Sequence, residues 1–258
     1  MERWSGRVAV VTGASGGIGA AVASDLVRAG LRVVGLDRRE NELQALAAEL
    51  AAAGGPGALL PVRCDVSSMT EVQSAFRGIE EDVGGVSVLV NNAGIMIPHR
   101  IQDMTNESMA AVVNTNVLGL TACCREAINS MKRHGIKDGH IVNINSVLGH
   151  IVPVFDSPDF NVSMYAGSKH AVTAICQGLR CELKNMHGQG YRIKVTSVSP
   201  GPVLTGMFGD DIRNCIPEEE VERLLKAEDV SRTVCFALAC PPDVEMVELT
   251  LQATGRLF

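Results

Sequence analysis

A strand, a glycine-rich turn and a helix follow one another near the start of the chain, and this succession is the strongest constraint on the fold. Val8–Val11 is a short continuous apolar run, which is typical of a strand buried on both faces of a parallel sheet. The next residues include Gly13, Gly17 and Gly19, and apolar residues recur at helical spacing over 18–29. Glycines let backbone N–H groups approach a pyrophosphate, and a helix N-terminus adds partial positive charge. The pattern predicts a dinucleotide-binding turn, although the glycines alone also fit an ordinary turn.

An acidic residue stands where a dinucleotide site needs one. Hydrophobic residues dominate 31–36 and predict a second strand, which ends in Asp37, about 20 residues beyond Gly17. A carboxylate at that position accepts hydrogen bonds from the hydroxyl groups of a ribose. The alternative is that Asp37 caps the helix that begins near Glu40.

The remaining chain alternates between predicted strands and helices. Strands are predicted at 58–64, 86–90, 140–144, 192–198 and 246–251, and helices at 42–53, 70–83, 108–133, 164–186 and 229–238. Polar clusters fall at the carboxyl ends of these strands or on the helix beside them, which is the edge where open parallel sheets bind ligands. We predict a single α/β domain over 1–258, with a doubly wound parallel sheet of the Rossmann type, seven strands and helices on both faces. Residues 203–225 have mixed polarity and are predicted to form a lid over the substrate pocket.

Composition supports this fold and argues against several functions. Hydrophobic residues make up 46% of the chain but aromatic residues only 3%, which suits an aliphatic core between helices and a parallel sheet. A net charge of −6 argues against nucleic-acid binding. The 6 histidines show no metal-ligand spacing and the 8 cysteines no C-x-x-C pair, so neither a metal site nor a disulfide framework is expected. We find no signal-peptide pattern and no apolar stretch of membrane-spanning length, and expect a cytoplasmic protein.

Tyr165 and Lys169 lie four residues apart in the predicted helix 164–186, so their side chains share one face. A phenol has a pKa near ~10, and a neighbouring ammonium lowers this pKa by favouring the phenolate. The pair is therefore a candidate for exchanging a proton with a substrate oxygen. The spacing alone also fits a solvated helix face, but the apolar residues that follow Lys169 at helical spacing indicate a buried helix.

The motifs occur in an order that resembles one protein family. They are Thr12-Gly13-x-x-x-Gly17-x-Gly19, Asp65, Asn91-Asn92-Ala93-Gly94, Asn116, Ser146, Tyr165-x-x-x-Lys169, and Pro200-Gly201 with Thr205. From about residue 6 to 251 the chain is similar to the short-chain dehydrogenase/reductase superfamily. The segments 1–4, 124–127 and 138–143 further resemble the branch of insect farnesol dehydrogenases and vertebrate dehydrogenase/reductase member 11. The interval from Ser146 to Tyr165 is longer than in most of the superfamily, so loop 147–164 is expected to shape the substrate pocket.

The resemblance implies an oxidoreductase that transfers a hydride between a nicotinamide cofactor and an alcohol or carbonyl substrate. In such an enzyme Tyr165 is the general acid and base, and Lys169 lowers the pKa of Tyr165 and binds the nicotinamide ribose. Ser146 donates a hydrogen bond to the substrate oxygen, and Asn116 orders a water beside the lysine, unless Asn116 is simply helix surface. The residues implied to bind the cofactor are Gly13, Ser15, Gly17, Ile18, Gly19, Asp37, Arg38, Asp65, Val66, Asn92, Tyr165, Lys169, Pro200, Val203 and Thr205.

Asp37 and Gly16 favour NAD as the cofactor. A 2′-phosphate would meet the carboxylate of Asp37, and many NADP-preferring relatives have a basic residue where this chain has Gly16. NADP is the alternative, because Arg38 and Arg39 follow Asp37 and a guanidinium suits a phosphate. We expect Arg38 to stack on the adenine instead.

Side-chain character and the resemblance also indicate the substrate and the assembly. Apolar residues are frequent in loop 147–164 and in segment 203–225, which predicts a hydrophobic alcohol or carbonyl such as a terpenoid, a steroid or an aldehyde. The helices 108–133 and 164–186 are apolar on more than one face, and in the family they form a dimer interface. A homodimer or homotetramer is therefore expected.

Some interpretations stay open at this point. His150 and His170 are interpreted as structural histidines, with substrate contact as the alternative. A methyltransferase and a non-catalytic dinucleotide sensor share parts of the pattern. The first leaves Ser146, Tyr165 and Lys169 without a role, and family members that lose catalysis usually lose the tyrosine or the lysine.

Overall fold

A computed structural model describes residues 1–152, 161–207, 221 and 223–255. The strands are β1 (Val8–Thr12), β2 (Arg32–Asp37), β3 (Ala58–Arg63), β4 (Val86–Asn91), β5 (His140–Ile144), β6 (Lys194–Pro200) and β7 (Glu248–Leu251). The helices are α1 (Gly17–Arg28), α2 (Glu40–Ala53), α3 (Met69–Asp82), α4 (Asn106–Val113), α5 (Leu120–Arg133), α6 (Ser163–Lys184) and α7 (Ala227–Ala239). The predicted strands are confirmed, and the predicted helices are present within two residues of their expected ends, apart from the one predicted at 108–133.

All seven strands form one parallel sheet in the order β3-β2-β1-β4-β5-β6-β7. β1 lies at the centre, where Val10 pairs with Val34 of β2 on one side and with Leu89 of β4 on the other. After β3 the chain returns to the far side of β1, so the strand order reverses between β1 and β4. A crevice opens at the carboxyl ends of the strands at such a reversal. The predicted doubly wound α/β fold is confirmed.

Helices cover both faces of the sheet because successive strand residues point to opposite sides. Val10 belongs to the core that the sheet shares with α3, α5 and α6, in which Phe76 is fully buried. Its neighbour Val11 belongs to the opposite core, shared with α1, α2 and α7, in which Leu26 is fully buried. Burying each such side chain contributes about 1.5–3 kcal/mol to the free energy of folding. The two cores therefore hold the strand ends, and the loops that leave them, in fixed positions.

The long helix predicted at 108–133 is present, but it contains an irregular stretch that was not predicted. Residues 114–119 form a π-helical stretch between α4 and α5. In this stretch Gly119 packs against backbone, because a Cβ on it would lie 2.6 Å from the carbonyl oxygen of Val66. A π turn adds a residue locally and leaves the helical apolar spacing intact on either side, so the periodicity does not reveal it.

Candidate active site

The predicted site residues converge at the crevice beside β1. The glycine turn follows β1, Asn92 follows β4, Ser146 follows β5, and Pro200 ends β6. Because these strands are parallel, their carboxyl ends meet at one edge of the sheet. Tyr165 and Lys169 lie on α6, which packs against β6 and the turn after β5.

The glycine turn leaves no room for larger residues and is bonded to the loop after β4. A Cβ on Gly19 would lie 2.1 Å from the carbonyl oxygen of Gly13, and Gly13 has a φ of +66°, which favours glycine. The Asn92 amide donates hydrogen bonds to the carbonyl oxygens of Thr12 (3.0 Å) and Gly13 (3.1 Å). In return the Thr12 hydroxyl accepts hydrogen bonds from the backbone N–H groups of Asn92 and Ala93, both at 3.0 Å. The Asn92 side chain therefore uses its donors within the protein to hold the turn.

The turn has features that fit the phosphates of a dinucleotide. The hydroxyl oxygen of Ser15 is buried and has no hydrogen-bond partner in the described part of the chain. α1 begins at Gly17, and the first N–H groups of a helix have no partner within it. Thr205 lies against Gly17, where a Cβ would come within 3.1 Å of the Thr205 methyl carbon, and Ile18 packs against the core behind the turn. An unpartnered hydroxyl, helix N–H groups and a close-fitting backbone together suit a pyrophosphate.

Asp37 ends β2 with its carboxylate facing the glycine turn. Oδ2 accepts a hydrogen bond from the backbone N–H of Ser15 (3.1 Å), and Oδ1 accepts one from the backbone N–H of Arg39 (3.0 Å). Burial opposes ionisation of this carboxyl, but the hydrogen bonds from Arg39 and Ser15 outweigh it, and the pKa of Asp37 is lowered. The N-cap of α2 is Arg39, with no side-chain cap, so the alternative role of Asp37 as a helix cap is wrong.

Both arginines that follow Asp37 lie beside carboxylates. Arg38 Nη1 is 3.6 Å from Asp65 Oδ2, and Arg39 Nε is 3.4 Å from Asp37 Oδ1. The Arg39 guanidinium also reaches the glycine turn, where Nη2 would lie 3.4 Å from a Cβ on Gly16. The guanidinium of Arg39 therefore lies beside Gly16, although the sequence has no basic residue at that position. Sequence spacing missed this role of Arg39, because the residue is far from the turn along the chain.

Ser146, Tyr165 and Lys169 are buried together at the same edge. The side chain of Ser146 acts on the ionisation of Tyr165, and Ser146 Oγ accepts a hydrogen bond from the backbone N–H of Leu148 (3.1 Å). Lys169 Nζ lies 5.6 Å from the centroid of the Tyr165 ring and donates to the carbonyl oxygen of Ile144 (2.8 Å). Tyr165 is 8% exposed and Lys169 is 6% exposed, so the alternative of a solvated helix face is wrong.

The prediction that Lys169 lowers the pKa of Tyr165 is also wrong. Burial raises the pKa of Tyr165 to about 12, and the side chain of Ser146 only partly opposes this shift. Burial lowers the pKa of Lys169 to about 8. The ammonium group is directed at the carbonyl of Ile144 and not at the phenol, so it gives the phenolate little support. Tyr165 is therefore a neutral phenol near pH 7.

Asn116 lies inside the protein, and its interpretation as helix surface is wrong. It is 2% exposed, and its amide accepts from Ile95 N (2.8 Å) and donates to Ile95 O (2.9 Å) and Ser168 Oγ (3.0 Å). Ser168 in turn donates to the carbonyl oxygen of Tyr165 (2.7 Å). Asn116 thus joins the loop after β4 to the first turn of α6. Ser168 was not among the predicted residues, and its position directly before Lys169 is the signal that could have identified it.

His150 and His170 form hydrogen bonds within the protein, and the side chain of Val203 is buried. His150 Nε2 lies 3.0 Å from Ser199 Oγ, and His170 Nδ1 lies 2.9 Å from a carbonyl of its own helix. Val203 is buried in the core shared with α1 and pairs with Leu225 in a short bridge. The side chain of Val203 is therefore not available to a cofactor, and a contact would involve its backbone.

Two predicted regions lie partly outside the described residues. These are loop 147–164, of which 153–160 is not described, and the proposed lid 203–225, of which 208–220 and 222 are not described. In the ranges that the structure does describe, no helix is long and apolar enough to cross a membrane. The same ranges contain no group of three or more His, Cys, Asp or Glu side chains placed to hold a metal ion.

Comparison with known proteins agrees with this geometry. The sequence model of the family described as short chain dehydrogenase matches residues 7–215. The farnesol dehydrogenase of Aedes aegypti is 47% identical over 262 residues, with 100% of both chains covered. Dehydrogenase/reductase SDR family member 11 of Gallus gallus is 42% identical over 261 residues, again with 100% of both chains covered.

A solved structure extends the agreement to three dimensions. A short chain dehydrogenase from Burkholderia cenocepacia J2315 in complex with NADP is 30% identical and superposes with a TM-score of 0.80, covering 97% of this chain and 98% of that one. The resemblance predicted from the order of the motifs is confirmed. The chain therefore belongs to the short-chain dehydrogenase family of oxidoreductases that use a nicotinamide cofactor.

Proposed function

We propose that this protein interconverts hydrophobic alcohols and their carbonyl compounds, with Tyr165 as the general acid and base. The observation that carries the proposal is the buried hydroxyl pair of Ser146 and Tyr165 at the crevice where the glycine turn lies. A methyltransferase has no use for such a pair. A dinucleotide sensor would not need Lys169 buried beside it.

The hydroxyl groups of Tyr165 and Ser146 have different roles toward the substrate oxygen. Burial keeps Tyr165 protonated near pH 7, so it has a proton to give to a carbonyl oxygen, and in the reverse direction its phenolate form takes the proton from an alcohol. Ser146 Oγ accepts from Leu148 N, which leaves its own proton free to stabilise the charge that develops on the substrate oxygen. The nicotinamide, when bound, supplies or accepts the hydride.

Lys169 is proposed to bind the cofactor. Its ammonium has three N–H donors, and the structure uses one of them on Ile144 O. A pKa of about 8 leaves the group mostly protonated near pH 7, so the other donors can hold the nicotinamide ribose. The remaining residues that would hold the cofactor lie along the same edge: Gly13, Ser15, Gly17, Ile18, Gly19, Asp37, Arg38, Asp65, Val66, Asn92, Pro200, Val203 and Thr205.

NAD is the proposed cofactor because the charges at the end of β2 already balance. Arg38 lies beside Asp65 and Arg39 beside Asp37, so two guanidinium groups face two carboxylates. Asp37 is held from inside by two backbone N–H groups and cannot easily turn away from a 2′-phosphate. Such a phosphate would have to replace a carboxylate as the partner of an arginine. NADP in the Burkholderia structure shows that the fold also accepts the larger cofactor.

A hydrophobic substrate is proposed from side chains that adjoin the site. Val152 follows the turn that carries Ser146 and is 62% exposed. Leu204 and Met207 flank Thr205 and are 43% and 41% exposed. Large apolar side chains exposed in the two segments that follow β5 and β6 favour an apolar ligand. The mosquito relative is named for farnesol, which is an alcohol of this kind.

A homo-oligomer is proposed because apolar side chains are exposed on the π-helical stretch and on α6, which packs against it. Leu118, in the π-helical stretch, is 48% exposed, and Ala174 on the neighbouring α6 is also exposed. A second copy packed through the same face would cover both residues in an isologous contact.

The substrate prediction is tested by turnover of a matched panel. With purified protein and oxidised cofactor, we expect kcat/KM for farnesol and other long apolar alcohols to exceed that for polyols such as sorbitol. The measurement is absorbance at the reduced nicotinamide band. Faster turnover of polyols would refute the apolar pocket, and absence of turnover with every alcohol and carbonyl would refute the proposed function.

The cofactor prediction is tested with Asp37→Ala. Removing the carboxylate relieves repulsion of a 2′-phosphate, so the preference for NAD over NADP, measured as a ratio of kcat/KM values, should fall by about tenfold or more. Arg39→Ala is the matched control, since loss of a cation should not improve use of NADP. A wild type that prefers NADP, or an unchanged ratio in Asp37→Ala, would contradict the proposal.

The assembly prediction is tested by light scattering at micromolar concentration. We expect a dimer or tetramer for the wild type and a shift toward monomer for Leu118→Asp, which buries a charge in the proposed contact. Ile101→Asp, at a residue that is 58% exposed on the loop after β4, is the matched control and should keep the wild-type mass. A monomeric wild type would show that the proposal is wrong.

A further inference from the structure

The turn that carries Ser146 is fastened on its helix side by Thr173 of α6. The Thr173 hydroxyl donates to the carbonyl oxygen of Gly149 (2.9 Å) and accepts from the side-chain amide of Asn145 (2.9 Å). These residues flank Ser146 on both sides along the chain. The contact therefore fixes the turn relative to the helix that carries Tyr165.

On its sheet side the turn is fastened by His150. The imidazole Nε2 lies 3.0 Å from Ser199 Oγ of β6 and 3.3 Å from Glu248 Oε1 of β7. Ser199 is fully buried and donates its own hydroxyl proton to Glu248 Oε1 at 2.5 Å. His150, Ser199 and Glu248 thus form one connected cluster across the turn and two strands.

The hydrogens in this cluster determine the state of the imidazole. A serine hydroxyl has one proton, and that of Ser199 is given to the carboxylate of Glu248. Neither Ser199 nor the ionised Glu248 has a proton left for His150. Nε2 must therefore carry a hydrogen and donate it, so a neutral His150 is the Nε2–H tautomer.

β7 also holds the turn after β6. Gly201, directly after β6, donates its backbone N–H to the carbonyl oxygen of Leu251 of β7 (2.7 Å). β7 is thus a common anchor for the turn after β5 and the turn after β6. The first presents Ser146, and the second follows Pro200, one of the residues proposed to hold the cofactor.

We propose that His150 is a positioning residue, which holds Ser146 in register with Tyr165 and with the turn after β6 by donating from Nε2 to Ser199 and Glu248. This inference rests on the function proposed above. In this role His150 touches neither substrate nor cofactor, because its Nε2 is used within the protein. Its effect reaches the reaction through Ser146.

The test compares steady-state kinetics of His150→Ala, His150→Gln and His170→Ala. A displaced Ser146 disturbs the transition state, so kcat of His150→Ala should fall by about 10²-fold, the scale for small misplacements. KM for the cofactor should stay unchanged, since the glycine turn and Asp37 are not touched. Glutamine places an N–H group near the position of Nε2 and should restore most of kcat. His170→Ala removes an exposed histidine whose hydrogen bond, within the described ranges, is to a carbonyl of its own helix, and it should behave as wild type.

Wild-type kcat in a folded His150→Ala, or failure of glutamine to restore activity, would overturn the inference. If circular dichroism shows that His150→Ala does not fold, Glu248→Ala removes the acceptor of the same cluster and should show the same loss of kcat without a change in cofactor KM.

Imidazole nitrogen NMR of the wild type gives a readout independent of turnover. It should show the Nε2–H form for His150, and an Nδ1–H form would overturn the inference. A wild type without any turnover would instead defeat the proposed function, which keeps the two failures distinct.

Discussion

The contact between the glycine turn and the loop after β4 is the constraint on which the site depends. Asn92 donates to two carbonyl oxygens of the turn, and Thr12 accepts from two N–H groups of the loop, so the ends of β1 and β4 are joined across the reversal of strand order. A Cβ on Gly19 would lie 2.1 Å from the carbonyl oxygen of Gly13, and a Cβ on Gly13 would lie 2.9 Å from the side-chain amide nitrogen of Asn92. This contact holds one wall of the crevice, and the turns after β5 and β6 form the other.

Burial, more than charge pairing, determines the chemistry of the second wall. Tyr165 and Lys169 are both withdrawn from water, which raises the pKa of the phenol to about 12 and lowers that of the ammonium to about 8. Each shift disfavours the charged form, as expected when desolvation outweighs the attraction between the two groups. The protein therefore presents a protonated phenol, with Ser146 at the same edge of the sheet, as a proton donor. Positive charge brought by an oxidised nicotinamide would favour the phenolate in the opposite direction.

Much of this arrangement could be predicted from the sequence, because apolar runs, glycines and strand ends follow local rules. The seven strands and the edge that collects Asn92, Ser146 and Pro200 are examples. What could not be predicted depends on contacts between distant residues. The π-helical stretch at 114–119 leaves the apolar spacing around it intact, and the direction of the Lys169 ammonium depends on a carbonyl 25 residues earlier. The place of Arg39 beside Gly16 likewise required the folded chain.

The central claim is that Tyr165 exchanges the proton, and replacing its hydroxyl group tests this most directly. The chain has 2 tyrosines, so Tyr191→Phe is a matched control for Tyr165→Phe. Turnover of the best alcohol should fall by ~10²–10⁴-fold in Tyr165→Phe, the range for a lost general acid or base, and stay at the wild-type value in Tyr191→Phe. Calorimetric titration should show that Tyr165→Phe still binds the cofactor, because the glycine turn and Lys169 are intact. Retained turnover in Tyr165→Phe would contradict the account.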